Sequence, residues 1–224
     1  MTEFKIKSIA KVLSPYKTKF GVPRQSGLVR SDNTVLIFDQ SIDMSAFEKL
    51  EIGNFIWVVF IFDQCHGQAK LQVRPPRLGG NQKIGVYATR SPFRPNNIGL
   101  SLGRVLQLSQ NNSEIHMTLE GLDLADGTPV IDIKPYHPKY DKAWDDSEYW
   151  FGDAEVQSLP VEFDKDCKVS EKEEKFIKDV LSGDPRPAYH DDDNRIYTIE
   201  LLNYEIDFQV LSSIVKVIKI KNLK

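Results

Sequence analysis

Apolar residues follow one another without interruption over 55–62, Phe-Ile-Trp-Val-Val-Phe-Ile-Phe. The run is too short for most helices and rich in β-branched and aromatic side chains, which predicts a strand buried on both faces. Shorter apolar runs predict strands over 4–12, 35–38, 84–88, 98–108, 114–119 and 129–133, and Ile115, Met117 and Leu119 alternate with polar neighbours. Strands at such short spacing, with little helical periodicity between them, indicate a mainly β barrel or sandwich; a parallel α/β sheet fits poorly. Near residue 155 the pattern changes. Ser170 and Glu173 form a capping box, and Phe176, Ile177, Val180 and Leu181 line one face of a helix that stops at Gly183. Strands are predicted over 195–202, 204–211 and 214–220, the first two joined tightly at Asn203. The expected organisation is a β-rich domain over 1–155 and a small α+β domain over 156–224.

With 224 residues, 41% of them apolar, the chain can bury a sizeable core, and disorder is excluded as the default. No apolar run reaches the roughly 18 residues of a membrane helix, and residues 1–5 lack the apolar core of a signal peptide. Cys65 and Cys167 lie far apart, and the four histidines show no metal-ligand spacing. Neither a disulfide nor a metal site is expected, and free thiols suit a soluble cytoplasmic protein.

The net charge of −3 argues against a polyanionic partner until its distribution is considered. Residues 64–113 contain no Asp or Glu, although the average for the chain implies about seven in fifty residues. Lys70, Arg74, Arg77, Lys83, Arg90, Arg94 and Arg104 all fall within that stretch. The carboxylates gather instead over 141–155 and 191–193. Either the stretch is a solvated basic face or it binds an anion.

Four segments have ligand-contact chemistry. Residues 14–27, Ser-Pro-Tyr-Lys-Thr-Lys-Phe-Gly-Val-Pro-Arg-Gln-Ser-Gly, form a loop with embedded cations. Residues 73–81, Val-Arg-Pro-Pro-Arg-Leu-Gly-Gly-Asn, set Arg74 and Arg77 on a proline-stiffened backbone suited to phosphate; a polyproline-type protein ligand is the alternative. Residues 85–101 combine Arg90, Phe93 and Arg94, the charge and π-face that an unstacked base and its phosphate need, although Phe93 would serve equally as core. Residues 122–136 carry the turn Asp126-Gly127, after which Asp132 and Lys134 are expected to share a strand face with Val130. No Gly-x-Gly-x-x-Gly or Walker loop occurs, and the adjacent Cys65-His66 is no sign of a catalytic dyad. The residues by themselves therefore describe a β-rich protein with an arginine-rich anion site.

Taken in order, these segments, together with Asp184-Pro185-Arg186-Pro187-Ala188-Tyr189, resemble the TrmO family, formerly called TsaA-like or YaeB. Most specific are Val-Arg-Pro-Pro-Arg-Leu-Gly-Gly and Asp-Ile-Lys-Pro-Tyr. The resemblance implies a non-Rossmann β-barrel methyltransferase core, a small C-terminal domain and a homodimer. It also implies transfer of a methyl group from S-adenosylmethionine to the exocyclic nitrogen of threonylcarbamoyladenosine beside the tRNA anticodon. Carried over by motif, Arg24, Gln25, Asp63, Gln64, Arg90, Leu100, Glu120, Gly121, Leu122 and Asp123 form the cofactor pocket. Arg74, Arg77, Arg94, Asn96, Lys134 and Arg186 are the candidates for contact with the anticodon loop. A general base is optional; Asp126 is the candidate, with a plain turn residue as its alternative. Two positions depart from the pattern: Asn97 stands where the family commonly has proline, and Asp63 where several members have histidine. A non-catalytic RNA-binding protein, and a protein-interaction domain built on residues 74–77, are the competing functions.

Overall fold

The computed structural model describes residues 2–65, 67, 69–75, 82–145, 158–186, 192 and 194–223. Six strands close into an antiparallel barrel: β1 (Ala10–Leu13), β2 (Thr34–Phe38), β3 (Phe55–Ile61), β6 (Ile98–Asn111), β7 (Glu114–Glu120) and β8 (Pro129–Pro135). Around the barrel the order is β1-β2-β7-β6-β3-β8, closed by pairing of β8 with β1. A short ribbon of β4 (Gln72–Val73) and β5 (Ile84–Gly85) stands apart. Alternation along each strand turns Val12, Leu36, Ile56, Val58, Met117 and Val130 into the barrel interior. Each large side chain fully buried there contributes about 1.5–3 kcal/mol.

The barrel corrects two expectations. β3 is buried on its inner face at Ile56, Val58 and Phe60, but Trp57, Val59 and Ile61 are only half-buried on the outside. A small closed barrel has one core, so the uninterrupted apolar run reflects an apolar outer face and not a second buried one. On β8, Phe60 pairs with Val130 and Val59 with Asp132, which leaves Ile131 as the extra residue of a bulge. The bulge reverses the alternation: Val130 points inward, while Asp132 and Lys134 lie opposite the outward Val59 and Trp57 and pair with each other at 2.8 Å. Some strands are shorter than expected. β1 begins only where Ala10 finds Phe38 and Val130 as partners, so Phe4 and Ile6 stay exposed. After β5 the chain leaves the extended state for a 3₁₀ turn, Val86–Ala88.

The second unit is a four-stranded sheet, ordered β10 (Tyr197–Leu201), β11 (Tyr204–Leu211), β12 (Ile214–Asn222) and β9 (Val161–Phe163). β9, which the sequence pattern did not reveal, runs parallel to β12. Helix α1 (Glu171–Ser182) packs on the sheet; Ser170 and Glu173 form the expected capping box, and Phe176, Ile177, Val180 and Leu181 are its buried residues. The boundary expected at 155/156 lies outside the described residues.

Residues 14–29 join the two units. Tyr16, wholly buried, and Val29 belong to the core of the second sheet, with Phe20 and Val22 packed against it. The main chain of Tyr16 bridges to Leu201, and Leu202 donates to the Pro15 carbonyl at 2.8 Å. Gly21 makes the approach possible: its φ is 106°, and a Cβ there would meet Ile199 Cδ1 at 2.3 Å. Gly21→Ala combines backbone strain with overpacking and is expected to lower the unfolding free energy by roughly 2–4 kcal/mol, measured by urea denaturation.

Candidate functional site

Because residues 14–29 are packed into the second core and hydrogen-bonded to the barrel, their side chains reach segments far apart in sequence. Lys19 Nζ donates to the Gln64 carbonyl, just beyond β3, beside the exposed Asp63. Gln25 Oε1 accepts from Arg90 Nη1 at 2.5 Å. The Gly27 amide donates to the Gly121 carbonyl at 2.8 Å. Arg24 turns the other way, giving Nη2 to the carbonyls of Asp184 (2.6 Å) and Arg186 (3.2 Å). One loop therefore draws together the segments after β3, after β5 and after β7, and ties them to residues 184–186.

The segment after β7 has its own scaffold. Glu120 pairs with Arg104 across β6 at 2.6 Å. Gly121, at φ 82°, gives its amide to Asp32 Oδ1 at 2.8 Å, and Thr34 donates its hydroxyl to Asp32 Oδ2 at 3.0 Å. Burial pushes the Asp32 carboxyl up to about 6, against the opposing effect of those two hydrogen bonds. Leu122 is fully buried against Gly103. Asp123 accepts from Ser101 Oγ at 2.5 Å; burial raises its carboxyl above the ordinary range, while the Ser101 bond and the charge of Arg90 hold it down. Leu100, next to Ser101 on β6, is half-exposed. Gln25, Arg90 and Asp123 thus offer an amide, a cation and a carboxylate. That donor set suits S-adenosylmethionine, with its amino-acid end, ribose hydroxyls and adenine ring.

Other candidates lie elsewhere or are already engaged. Asp126 accepts from the Ser14 amide (2.8 Å) and from Lys17 Nζ (3.1 Å), fastening the start of the loop. Arg186 forms a two-point ion pair with Asp184, at 2.8 and 2.9 Å, and that bond holds the guanidinium above its ordinary value. Arg94 Nη1 is used by the carbonyls of Thr89 (2.7 Å) and Val86 (3.3 Å). Phe93 is half-buried, with Lys70 over its ring at 4.3 Å and Gly67 against its edge. Lys134 is on the outer face of β8, Arg74 and Asn96 are exposed, and Arg77 lies outside the described residues. Asp32, Ser101 and Lys19 were not picked out as site residues in the sequence. The one signal for Asp32 was an acid placed directly before an inward-facing strand. Among the described residues no cluster of three or more His, Cys, Asp or Glu could hold a metal, and no helix is long and apolar enough to cross a membrane.

Residues 11–142 match the tRNA-methyltransferase O N-terminal domain, and residues 156–223 match the TrmO C-terminal domain. The chain belongs to the TrmO family. It is 39% identical over 222 residues to the tRNA (adenine(37)-N6)-methyltransferase of Escherichia coli K12, covering 94% of each chain. A Pseudomonas aeruginosa relative, a putative S-adenosylmethionine-dependent methyltransferase RcsF, is 35% identical over 216 residues, 90% of each chain. The solved structure of TrmO from P. aeruginosa superposes with a TM-score of 0.79 at 26% identity, covering 99% of both chains. Against the TrmO pattern, Asn97 has a physical account: its φ is 49°, which a proline ring cannot adopt, and its side-chain amide donates to the Pro92 carbonyl at 2.6 Å. The loop is closed here by a side chain where a ring would otherwise restrict it.

Asp32 gives this site a pH signature. Its carboxyl titrates near 6 in the folded chain and near the ordinary 3.8 when unfolded. The folded state therefore holds the proton more tightly, and stability falls as pH rises through 3.8 to about 6, by up to roughly 3 kcal/mol. Asp32→Asn can keep both hydrogen bonds but cannot titrate. Urea denaturation from pH 4 to pH 7 should show a shallower fall in stability in the variant than in the parent chain, the remainder coming from the raised carboxyl of Asp123.

Proposed function

We propose that this chain is an S-adenosylmethionine-dependent tRNA adenine methyltransferase, acting on the exocyclic nitrogen of threonylcarbamoyladenosine beside the anticodon. The observation that carries the proposal is the convergence of Gln25, Arg90, Gly121 and Asp123 through residues 14–29, in a chain whose Escherichia coli relative is a tRNA (adenine(37)-N6)-methyltransferase. The acid-free stretch 64–113 supplies Arg90 and the cations around it, which suits an RNA partner.

S-adenosylmethionine, when bound, supplies a methyl group made electrophilic by the attached sulfonium. Arg90, braced by Gln25, is the counter-ion for the amino-acid carboxylate. Gly121 is fixed through both of its main-chain groups, by Asp32 and by Gly27, and so holds the segment that carries Asp123. What these residues contribute is orientation: alignment of nitrogen, methyl carbon and sulfur replaces an improbable bimolecular encounter. The electron-withdrawing threonylcarbamoyl group acidifies the nitrogen, so little basicity is required. Asp126 is occupied by Ser14 and Lys17, so any proton acceptance falls to Asp123, whose raised carboxyl lies beside Arg90.

We further propose that the enzyme is a cytoplasmic homodimer. The outer face of the barrel over β3 and β6 is apolar, with Trp57, Val59 and Ile61 beside Ile98, Leu100 and Leu102. Such a surface favours pairing with a second copy. Val59→Asp should shift the mass in multi-angle light scattering from dimer to monomer.

Methyl transfer from labelled S-adenosylmethionine, to tRNA with and without the threonylcarbamoyl group, tests the activity directly. Methylated threonylcarbamoyladenosine in the nucleoside digest is expected only from the modified tRNA. Transfer to neither would leave an RNA-binding protein. Arg90→Ala should weaken S-adenosylmethionine binding by roughly 10- to 100-fold in calorimetry, as loss of a charge-assisted hydrogen bond predicts.

A further inference from the structure

Tyr87 is the most exposed aromatic side chain in the acid-free stretch among the described residues: 72% of its surface is open, whereas its neighbour Val86 is 1% exposed. Its backbone is held from several sides. The Val86 amide donates to the Leu71 carbonyl at 3.0 Å, and Thr89 Oγ1 closes the 3₁₀ turn on the Val86 carbonyl at 2.8 Å. Arg94 ties the carbonyls of Val86 and Thr89 together, with its guanidinium carbon 5.7 Å from the centre of the Tyr87 ring. The ring is thus displayed on a fixed turn. Leu71 beside it is also exposed.

Phe93, the aromatic that the sequence pattern nominated for base contact, is covered by Lys70 and Gly67; Tyr87 is not so covered. Arg94 lies at its ring, Lys83 and Arg90 flank it closely in sequence, and residues 64–113 contain no carboxylate. Arg90, three residues on, is held by Gln25 at the cofactor site. An exposed ring on a rigid turn, flanked by cations and close in sequence to the methyl-transfer site, meets the needs of an unpaired nucleotide: a π-face for the base and positive charge for its phosphate.

We propose that Tyr87 is the stacking platform for an unpaired base of the tRNA loop next to the adenosine that is methylated, with Arg94 holding the ring in place from below. This rests on the proposed tRNA methyltransferase activity. Rigidity contributes to affinity, because a ring already displayed loses little conformational freedom on binding.

The test uses the full chain and a threonylcarbamoyl-modified anticodon stem-loop RNA in which loop bases are replaced one at a time by fluorescent 2-aminopurine. With the parent chain, stacking should quench one loop position next to the modified adenosine. Tyr87→Ala should abolish that quenching and raise the Kd for the stem-loop, by anisotropy, roughly 5- to 100-fold. Tyr87→Phe and Tyr87→Trp should keep both. S-adenosylmethionine affinity and thermal unfolding should stay at parent values in all three. The inference is overturned if Tyr87→Ala binds the stem-loop like the parent, if Tyr87→Phe is as weak as Tyr87→Ala, or if Tyr87→Ala dissociates a dimer, which would assign the ring to a protein contact. The two proposals fail separately. A parent chain that shows the quenching but transfers no methyl leaves stacking intact and sinks the methyltransferase; an active parent matched in RNA binding by Tyr87→Ala sinks stacking alone.

Discussion

Residues 14–29 are packed into the core of the second sheet and hydrogen-bonded to the barrel, and the candidate site depends on that double attachment. At one end Asp126 binds the Ser14 amide and Lys17, which fixes the exit from the barrel. In the middle Tyr16 is sealed against Phe176, with ring centres 5.7 Å apart, and Gly21 lies against Ile199. At the far end Gly27 bonds to Gly121. A loop free at either side would lose backbone entropy of about 1–2 kcal/mol per residue each time it had to assemble a binding surface. Here much of that cost is met during folding, by the same packing that joins the two units.

Electrostatics follow a similar division. The barrel tolerates a buried carboxyl at Asp32 because Gly121 and Thr34 satisfy both oxygens. The site also keeps a raised carboxyl at Asp123 next to a cation. Several other cations are spent on the protein's own carbonyls and carboxylates, as at Arg24, Arg94 and Arg186. Within the acid-free stretch Arg94 and Arg104 are engaged in the same way, so part of its excess of basic residues is scaffolding.

The legible part of the sequence was whatever follows a period. Short apolar runs, with alternation at Ile115, Met117 and Leu119, identified the strands of the barrel, and the Ser170 capping box with its apolar stripe identified α1. That residues 14–29 meet the segments after β3, β5 and β7 was legible only through resemblance to a family, because spacing does not say which loops meet. Illegible features were those set by contacts across the fold. The bulge at Ile131, which turned Asp132 and Lys134 outward, depends on pairing with β3 and leaves no local mark. Whether an arginine faces solvent or closes a turn is likewise decided by carbonyls that the sequence does not bring near it. Arg94 and Phe93 looked like ligand contacts by composition, yet both are engaged within the protein, while Tyr87, one residue past a buried valine, stands clear.

The seam between the units has a consequence for synthesis. Tyr16 and Gly21 pack on Leu201 and Ile199, about 170 residues downstream of the loop. On a translating ribosome the barrel strands emerge first and can close, but the loop has nothing to dock on until β10 and β11 have left the exit tunnel. At ordinary elongation rates the stretch from the end of β8 to the end of β11 takes about 4–15 s. Through it the nascent barrel carries Tyr16, Phe20 and Val22 without the core they pack into, so the candidate site is complete only near the end of translation.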